Sequence, residues 1–280
     1  PAWFEVTISI FAAIAAVFVV NGALLASWVS RIPTVAGNLD LDNAQVGIAL
    51  LGVAVGSLSA FPFVGRFIAR FGSARVTLVT GLACCAAALL PAVAPSLLAL
   101  FAALVVFGAS LGAMDIAMNA QGVEIERAQG RTIMNSLHGF WSLGGFTGAA
   151  LGGFIAGLGV GAAAHLAGIA FVAVGVLLVA RRSLVPDQPG EEQEEAPVFM
   201  LPPRALWGLG AIAFFSSIGE GAMADWSALY LNESLGTSVG VAATGYAAFS
   251  LAMLVGRFGG DRLVAWLGTE TGVRSGGAIA

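Results

Sequence analysis

The sequence predicts an all-α membrane protein, and three observations carry that reading. Of its 280 residues 58% are hydrophobic and 10% charged, with a mean hydropathy of +0.92, which excludes an ordinary soluble domain. Apolar runs of about twenty residues, the length that crosses a bilayer, recur along the chain. A short basic link between two such runs, Gly65-Arg66-Phe67-Ile68-Ala69-Arg70-Phe71-Gly72, has an echo near the far end in Asp261-Arg262-Leu263-Val264-Ala265-Trp266-Leu267-Gly268. One membrane unit is thus written twice.

Hydropathy windows place helices near 6–30, 43–64, 76–94, 96–119, 135–159, 162–181, 205–231 and 238–257, with a ninth beginning near 272. The first run is no signal peptide, because Glu5 is the only charge before Arg31 and no basic stretch precedes the apolar one. Between the sixth and seventh runs lies Pro186-Asp187-Gln188-Pro189-Gly190-Glu191-Glu192-Gln193-Glu194-Glu195, acidic and rich in breakers, a solvated linker rather than a folded unit. The expected organisation is a six-helix half at 1–181, a cytoplasmic acidic linker at 182–204, and the start of a second half at 205–280. The chain begins at Pro1 and stops at Gly276-Gly277-Ala278-Ile279-Ala280, which reads as the opening of a further helix, so a longer parent protein is expected. With the N-terminus in the cytoplasm, Arg66, Arg70, Arg75, Arg127, Arg131, Arg181, Arg182, Arg204, Arg257, Arg262 and Arg274 fall inside and Arg31 alone outside, which sets that orientation.

The echo extends upstream. Val46-Gly47-Ile48-Ala49 matches Val239-Gly240-Val241-Ala242, and Asn21-Gly22-Ala23 with Trp28 matches Glu220-Gly221-Ala222 with Trp226. A rival register pairs Val64-Gly65-Arg66-Phe67 with Val255-Gly256-Arg257-Phe258. In the fifth run Gly144, Gly148 and Gly152 stand four apart, followed by Gly153, Gly157 and Gly161. Small residues let helices approach closely in lipid, so the row serves either tight static packing or a sliding contact between halves.

A polar side chain inside a membrane helix is costly unless it faces a cavity or a partner, so each is a candidate for function. Asn21 and Glu220 lie about 22 Å along their helices, somewhat past mid-bilayer. Desolvation disfavours the charged form of a carboxylate at that depth, which makes Glu220 a candidate proton carrier; the alternative is a hydrogen-bonded packing element. Asp115 and Asn119 stand four apart on one face of the fourth helix, Asp115 in its cytoplasmic half, where it serves either transport or a hydrogen bond to the adjoining loop. Asn135, His138, Trp141 or Ser142, and Gly145 follow helical spacing in the fifth, and His138 titrates near neutrality when unperturbed. Trp28, Trp141 and Trp226 suit stacking on a sugar-like ring, although for Trp28 and Trp226 an interfacial anchor is the favoured reading. His165, near the outer start of the sixth helix, carries no argument. The adjacent Cys84 and Cys85 suit neither a disulfide framework nor a metal site and read as small lipid- or helix-facing residues.

Enzyme signatures are missing: there is no HExxH, P-loop, GxSxG or Cys/His cluster with ligand spacing. No catalytic residue, metal or cofactor is expected. The partners expected are a small solute, protons and the lipid bilayer, with no nucleic acid and no obligate protein partner.

With the six-plus-six layout and the repeated basic link on the page, the chain resembles the major facilitator superfamily, transporters built as a helical bundle of two pseudo-symmetric six-helix halves. Here that bundle would be truncated after about eight helices. The link motif of the family runs Gly-x-x-x-Asp-Arg-x-Gly; Gly65, Arg70 and Gly72 match, whereas Ala69 and Ala265 stand at the acid position and Asp261 with Arg262 offer a substitute charge pair. Arg66 completes this group of conformational residues. Finer blocks resemble the MosC/YbjJ-like branch near the fucose-permease group: Ala26-Ser27-Trp28 with Arg31 and Pro33, Asn119 with Gly122-Val123-Glu124 and Glu126-Arg127, His138-Gly139-Phe140 with Ser142-Leu143-Gly144, and Glu220-Gly221 with Asp225-Trp226. The resemblance implies a bacterial inner-membrane transporter for a sugar or inositol-like compound. In sugar–proton symporters of the superfamily, acids on the first and fourth helices carry the coupling; Asp115 matches the second, while Asn21 replaces the first, so that the proton role either moves to Glu220 or is lost. The fifth helix lacks the proline of the antiporter motif, which disfavours drug export. A non-transporting sensor or scaffold on the same fold is the rival from another class, and an exporter of another small molecule is a further one.

Overall fold

In the computed structural model, which describes residues 2–130, 133–185, 203–268, 271 and 274–275, the chain is helical throughout, with no strand among the described residues. The helices are α1 (Ala2–Val29), α2 (Ile32–Asn38), α3 (Asn43–Phe71), α4 (Ser73–Ala87), α5 (Leu97–Gln129), α6 (Met134–Gly157), α7 (Ala162–Ala180), α8 (Trp207–Leu229), α9 (Val239–Ala242) and α10 (Thr244–Leu267). Six spans among the described residues are long and apolar enough to cross a membrane, all but α6 and α8 of the long helices. These two have 24 and 23 residues, about 36 and 35 Å at 1.5 Å per residue, so length suffices. Glycine and serine, with Asn135 and His138 in α6 and Glu220 and Asp225 in α8, lower their hydropathy.

The basic link is not a loop. α3 runs through Gly65, Arg66 and Arg70 to Phe71, and the whole turn is compressed into Gly72. Gly72 has φ +84°, a conformation that L side chains adopt only with strain; its N–H donates to the Ile68 carbonyl and its carbonyl accepts from Val76, ending α3 and opening α4. Gly268 follows the end of α10 with φ +80°. At the other end of these two helical segments, Asp42 accepts from the Gln45 N–H and Ser238 from the Val241 N–H, each as an N-cap. Asp42 to Gly72 and Ser238 to Gly268 are equal lengths of chain, so capping sets the register that pairs Arg66 with Arg262 and rejects the one that pairs it with Arg257.

Packing depends on glycine. Gly52 and Gly56 of α3 lie against the α5 carbonyls of Phe101 and Val105, and Gly108 of α5 lies against Val53 of α3. Gly22 of α1 lies against the Trp141 carbonyl of α6. Backbones this close leave no room for a methyl group, and in lipid such contact is what holds helices together. Large side chains fill the remaining interior: Phe18, Leu24, Leu104, Phe107, Met114 and Met118 are fully buried. Cys84 and Cys85 are buried as well, which decides for the helix-facing reading. Trp28 is 2% exposed and lines a small apolar cavity with Ile32, Val46 and Leu104, so it is a core residue and not an interfacial anchor. Its repeat partner Trp226 is 40% exposed, with its ring 3.6 Å from where a Cβ on Gly47 of α3 would stand.

Two further expectations change. α5 continues ten residues past its expected end, to Gly130 at φ +63°, because Val123-Glu124-Ile125-Glu126-Arg127 remains a good helix beyond the apolar run. Asp115 therefore sits near the middle of a 33-residue helix and not toward its end. Glu126 then caps α6, accepting from the N–H groups of Ile133 and Met134 at 2.6 and 2.9 Å. Arg131, the acidic linker core and most of the ninth helix lie outside the described residues.

Candidate functional site

The site forms where α1, α6, α8 and α10 meet. On α1, Asn21 is 2% exposed and sits beside Gly22, whose lack of a side chain brings α6 in close. The Trp141 indole N–H of α6 donates to Asn21 Oδ1 at 2.9 Å, and Asn21 Nδ2 reaches the Leu111 carbonyl of α5 at 3.4 Å. The indole is thereby fixed in orientation, as a buried Trp N–H with a partner should be. One face of the ring carries the guanidinium of Arg257, 5.4 Å from the ring centroid, a cation–π contact.

Arg257 is the hub. Its Nη1 donates to Ser142 Oγ at 2.7 Å and to the His138 carbonyl at 3.2 Å, both on α6, while its Nη2 faces Glu220 Oε1 of α8 at 3.4 Å. The last distance is at the long end for a hydrogen bond, so this ion pair is the loosest member of the network. The side chains are 19% exposed for Arg257 and 36% for Glu220. Asn135, at the start of α6, adds a hydrogen bond from Nδ2 to the Arg257 carbonyl at 3.1 Å. Ser142 accepts from Arg257 and donates to the His138 carbonyl at 3.3 Å, so both capacities of its hydroxyl are used. Buried Tyr246 and Ser250 extend the cluster on α10; Ser250 Oγ is 3.0 Å from a Cβ position on Gly145, and the Tyr246 phenol lies within electrostatic reach of Glu220, Asp225 and Arg257.

The expected site residues divide. Asn21, Trp141 and Glu220 come together, and the repeat partners Asn21 and Glu220 are joined through Trp141 and Arg257. His138 takes part through its carbonyl, while its imidazole stands edge-on to the Phe18 ring at 5.6 Å. Asp115 and Asn119 form a separate pair: Asn119 Nδ2 donates to the Asp115 carbonyl at 2.8 Å and to its carboxylate at 3.3 Å. They continue the Gly108 and Gly112 stripe, which packs on α3, one turn along from the Leu111 carbonyl that Asn21 contacts. Of the link residues, Arg66 and Arg70 are exposed, Arg70 lies over the Phe71 ring at 5.2 Å, and Gly65 has open space around it. The backbone of α10 passes through Asp261 and Arg262, whose side chains lie outside the described residues.

Sequence reading missed Arg257 as a site residue, along with Tyr246, Ser250 and Asp225. It assigned Arg257 to the cytoplasmic edge because the charge ended the hydropathy window. The helix continues ten residues beyond it, to Leu267. The available signal was the unpartnered acid: a carboxylate as deep as Glu220 calls for a cation, and Arg257 lies inside the next apolar span along the chain, Val239–Gly259. Among the described residues no group of three or more His, Cys, Asp or Glu side chains is placed to hold a metal ion.

Comparison with known proteins bears on the same architecture. The chain is 34% identical over 251 residues to an uncharacterized MFS-type transporter of Yersinia pestis, covering 90% of this chain and 65% of that protein. It is 36% identical over 269 residues to the uncharacterized transporter y4wD of Sinorhizobium fredii, covering 95% and 71%. With the membrane protein MosC of Rhizobium meliloti it shares 33% identity over 271 residues, covering 96% and 65%. The chain thus spans about two thirds of the length of these relatives. Its fold matches the crystal structure of the nucleoside transporter NupG (D323A mutant) with a TM-score of 0.66 at 12% identity, covering 92% of this chain and 67% of that one. The Major Facilitator Superfamily model matches residues 6–280, nearly the whole of the chain, and the chain belongs to that superfamily.

Proposed function

We propose that this chain is the greater part of a secondary active transporter that moves a small polar solute, a sugar, inositol or related compound, across the bacterial inner membrane by alternating access coupled to protons. In this reading residues 1–181 and 205–280 belong to two halves joined by the acidic linker 182–204, with the N-terminus in the cytoplasm. The halves rock about a cavity lined by α1, α5 and α8 and completed by helices beyond this chain. The solute binds near Asn21, Asp115, Asn119 and Glu220. No catalytic residue, cofactor or obligate protein partner enters the mechanism.

The observation that carries the reading is Arg257, one cation held at once by Glu220 of the second half and by Ser142 and the His138 carbonyl of the first. Arg257 itself belongs to the second half, so a proton on Glu220 dissolves a pair within that half and leaves the guanidinium to Ser142 and the His138 carbonyl of the first. Proton binding so changes the contact between halves by about 1 kcal/mol, the order expected for a partly exposed pair and enough to bias a two-state equilibrium. The exposed Arg66 and Arg70 at the turn around Gly72, with Asp261 and Arg262 at the repeated turn, are the conformational elements on the cytoplasmic side.

The test is proton entry into liposomes that carry the full-length protein and a pH dye, on addition of sugars, inositols and amino-sugars. Solute-dependent proton flux that is lost in Glu220→Gln is the expected result. Unchanged pH dependence in that variant would remove Glu220 from the coupling. Binding without flux for every solute would favour the sensor or scaffold reading, and flux in the opposite sense an exporter.

A further inference from the structure

The largest fully buried side chain among the described residues lies far from this cluster. Arg31, in the turn between α1 and α2, is 1% exposed, and its Nε donates to Nδ1 of His165 on the first turn of α7 at 2.9 Å. His165 is itself 5% exposed. The Nη2 of Arg31 is buried without a hydrogen-bond partner, and no ion pair joins the guanidinium to a carboxylate among the described residues. Room for the imidazole comes from α6: a Cβ on Gly152 would collide with Ser30 Oγ and stand 3.1 Å from His165 Cε1.

No carboxylate on the surrounding elements pairs with Arg31 among the described residues: α8, which packs on α1 and α2, carries Glu220 and Asp225, and neither forms an ion pair with it. Neither α2 nor the part of α6 from Leu143 to Gly157 carries a titratable side chain, nor does the turn Leu90–Val93 that packs on α7. The next charges on α7 are Arg181 and Arg182 at its opposite end, and Asp40 and Asp42, after α2, are exposed. A guanidinium keeps its charge at any accessible pH, and burying one without an anion costs several kcal/mol. A carboxylate partner would have offset that cost; here the acceptor is an imidazole nitrogen, which can accept from Arg31 only while it is unprotonated.

We propose that His165 is a proton-binding site separate from Glu220, and that Arg31 turns it into a clasp which opens on protonation. With a proton on Nδ1, two N–H groups and two positive charges face each other in a space without an anion. The contact cannot persist, and the turn at Arg31 parts from the first turn of α7. In the orientation proposed above this end faces outward, so external acidity would loosen the end of the helix that carries Asn21, ten residues or about 15 Å away.

The experiment is a distance measurement between spin labels on the full-length protein in nanodiscs, where both faces meet the same buffer and neither orientation nor transport matters. Gly37→Cys on α2 and Gly161→Cys at the start of α7 are suitable sites, since both have open space and neither has a positive φ; Cys84 and Cys85 are changed to Ala. The expected result is a reversible lengthening between about pH 7.5 and about pH 3.5, low enough to protonate a buried imidazole beside an arginine, that is absent in His165→Gln, whose amide oxygen keeps an acceptor but takes no proton. An unchanged distance in the parent protein overturns the proposal, as does equal lengthening in His165→Gln. Should His165→Gln fail to fold, 15N signals of the parent's histidines decide: protonation of His165 in step with the lengthening supports the clasp, and protonation at constant distance overturns it.

Discussion

Toward α1, α6 presents Gly144 and Gly148, and an added Cβ at either would meet backbone: the Val19 carbonyl and Ala23 nitrogen at Gly144, the Ala23 carbonyl and Cα at Gly148. Toward α10 it presents Gly139 and Gly145, and there an added Cβ would meet the Phe258 ring at 2.7 Å and the Ser250 hydroxyl at 3.0 Å. The first face cannot slip without separating two backbones. At Gly139 and Gly145 the second can yield by the movement of a side chain, and this part carries the Arg257 network; only farther along, where a Cβ on Gly153 would stand 2.7 Å from the Gly240 carbonyl of α9, does α6 again meet backbone. Static packing and a sliding contact therefore map onto two parts of one helix as expectations: the α1 face leaves a methyl group no room, and the α10 face leaves room at Gly139 and Gly145 through movable side chains.

The sharpest way to break that comparison is Gly144→Ala. The methyl group has only backbone to displace, so a loss of about 1–3 kcal/mol is expected, the usual range for overpacking. Thermal melts of the full-length protein in detergent would show it as a lowered Tm. A melt indistinguishable from the parent's would mean that α1 and α6 part easily and that the two faces do not differ. Next in size is Arg257→Gln, which leaves Glu220 and Ser142 without their cation. Because both charged side chains are partly exposed, a loss of about 1–2 kcal/mol is expected and not the full penalty of a broken buried pair. A second change, Glu220→Gln, should restore part of the Tm. If it restores none, Glu220 does not interact with Arg257 in solution.

Much of this was legible in the sequence, because what a bilayer demands is mostly length and apolarity. The helices fall close to where hydropathy puts them, and the repeat reappears in the backbone as two glycines of positive φ that follow two N-caps at equal distances. Charge misled at the boundaries. The expected helices 43–64 and 96–119 stop short of Arg66, Arg70 and Glu124, yet the helices continue through them, since a helix persists into water while a hydropathy window does not. Arg257 was assigned to the surface for the same reason, and the hub of the site was lost with it. His165 carried no argument because its partner Arg31 is 134 residues away, and no local pattern can report a contact of that separation. Asp115 and Asn119 share a face as their spacing predicts, but nothing in that spacing could tell that they bond to each other and not to Asn21.

Trp141→Phe tests the join between the rigid face and the adjustable one. The ring remains beneath Arg257, but the N–H that Asn21 accepts is gone, and about 1 kcal/mol is the expected cost. A larger loss would mean that Asn21 holds α6 in place as well as orienting one ring. Smallest of all is Gly139→Ala. Its methyl group pushes on the Phe258 ring, which can rotate away, and alanine favours the helix by up to about 1 kcal/mol over glycine, so the net change in Tm should be close to zero. Its value lies in the pairing with Gly144→Ala: the same atom is added to the same helix, one face apart by little more than a turn. If both substitutions lower Tm equally, the contact between α6 and α10 is as rigid as that between α6 and α1, and any rocking of the two halves must take place at a surface other than this one.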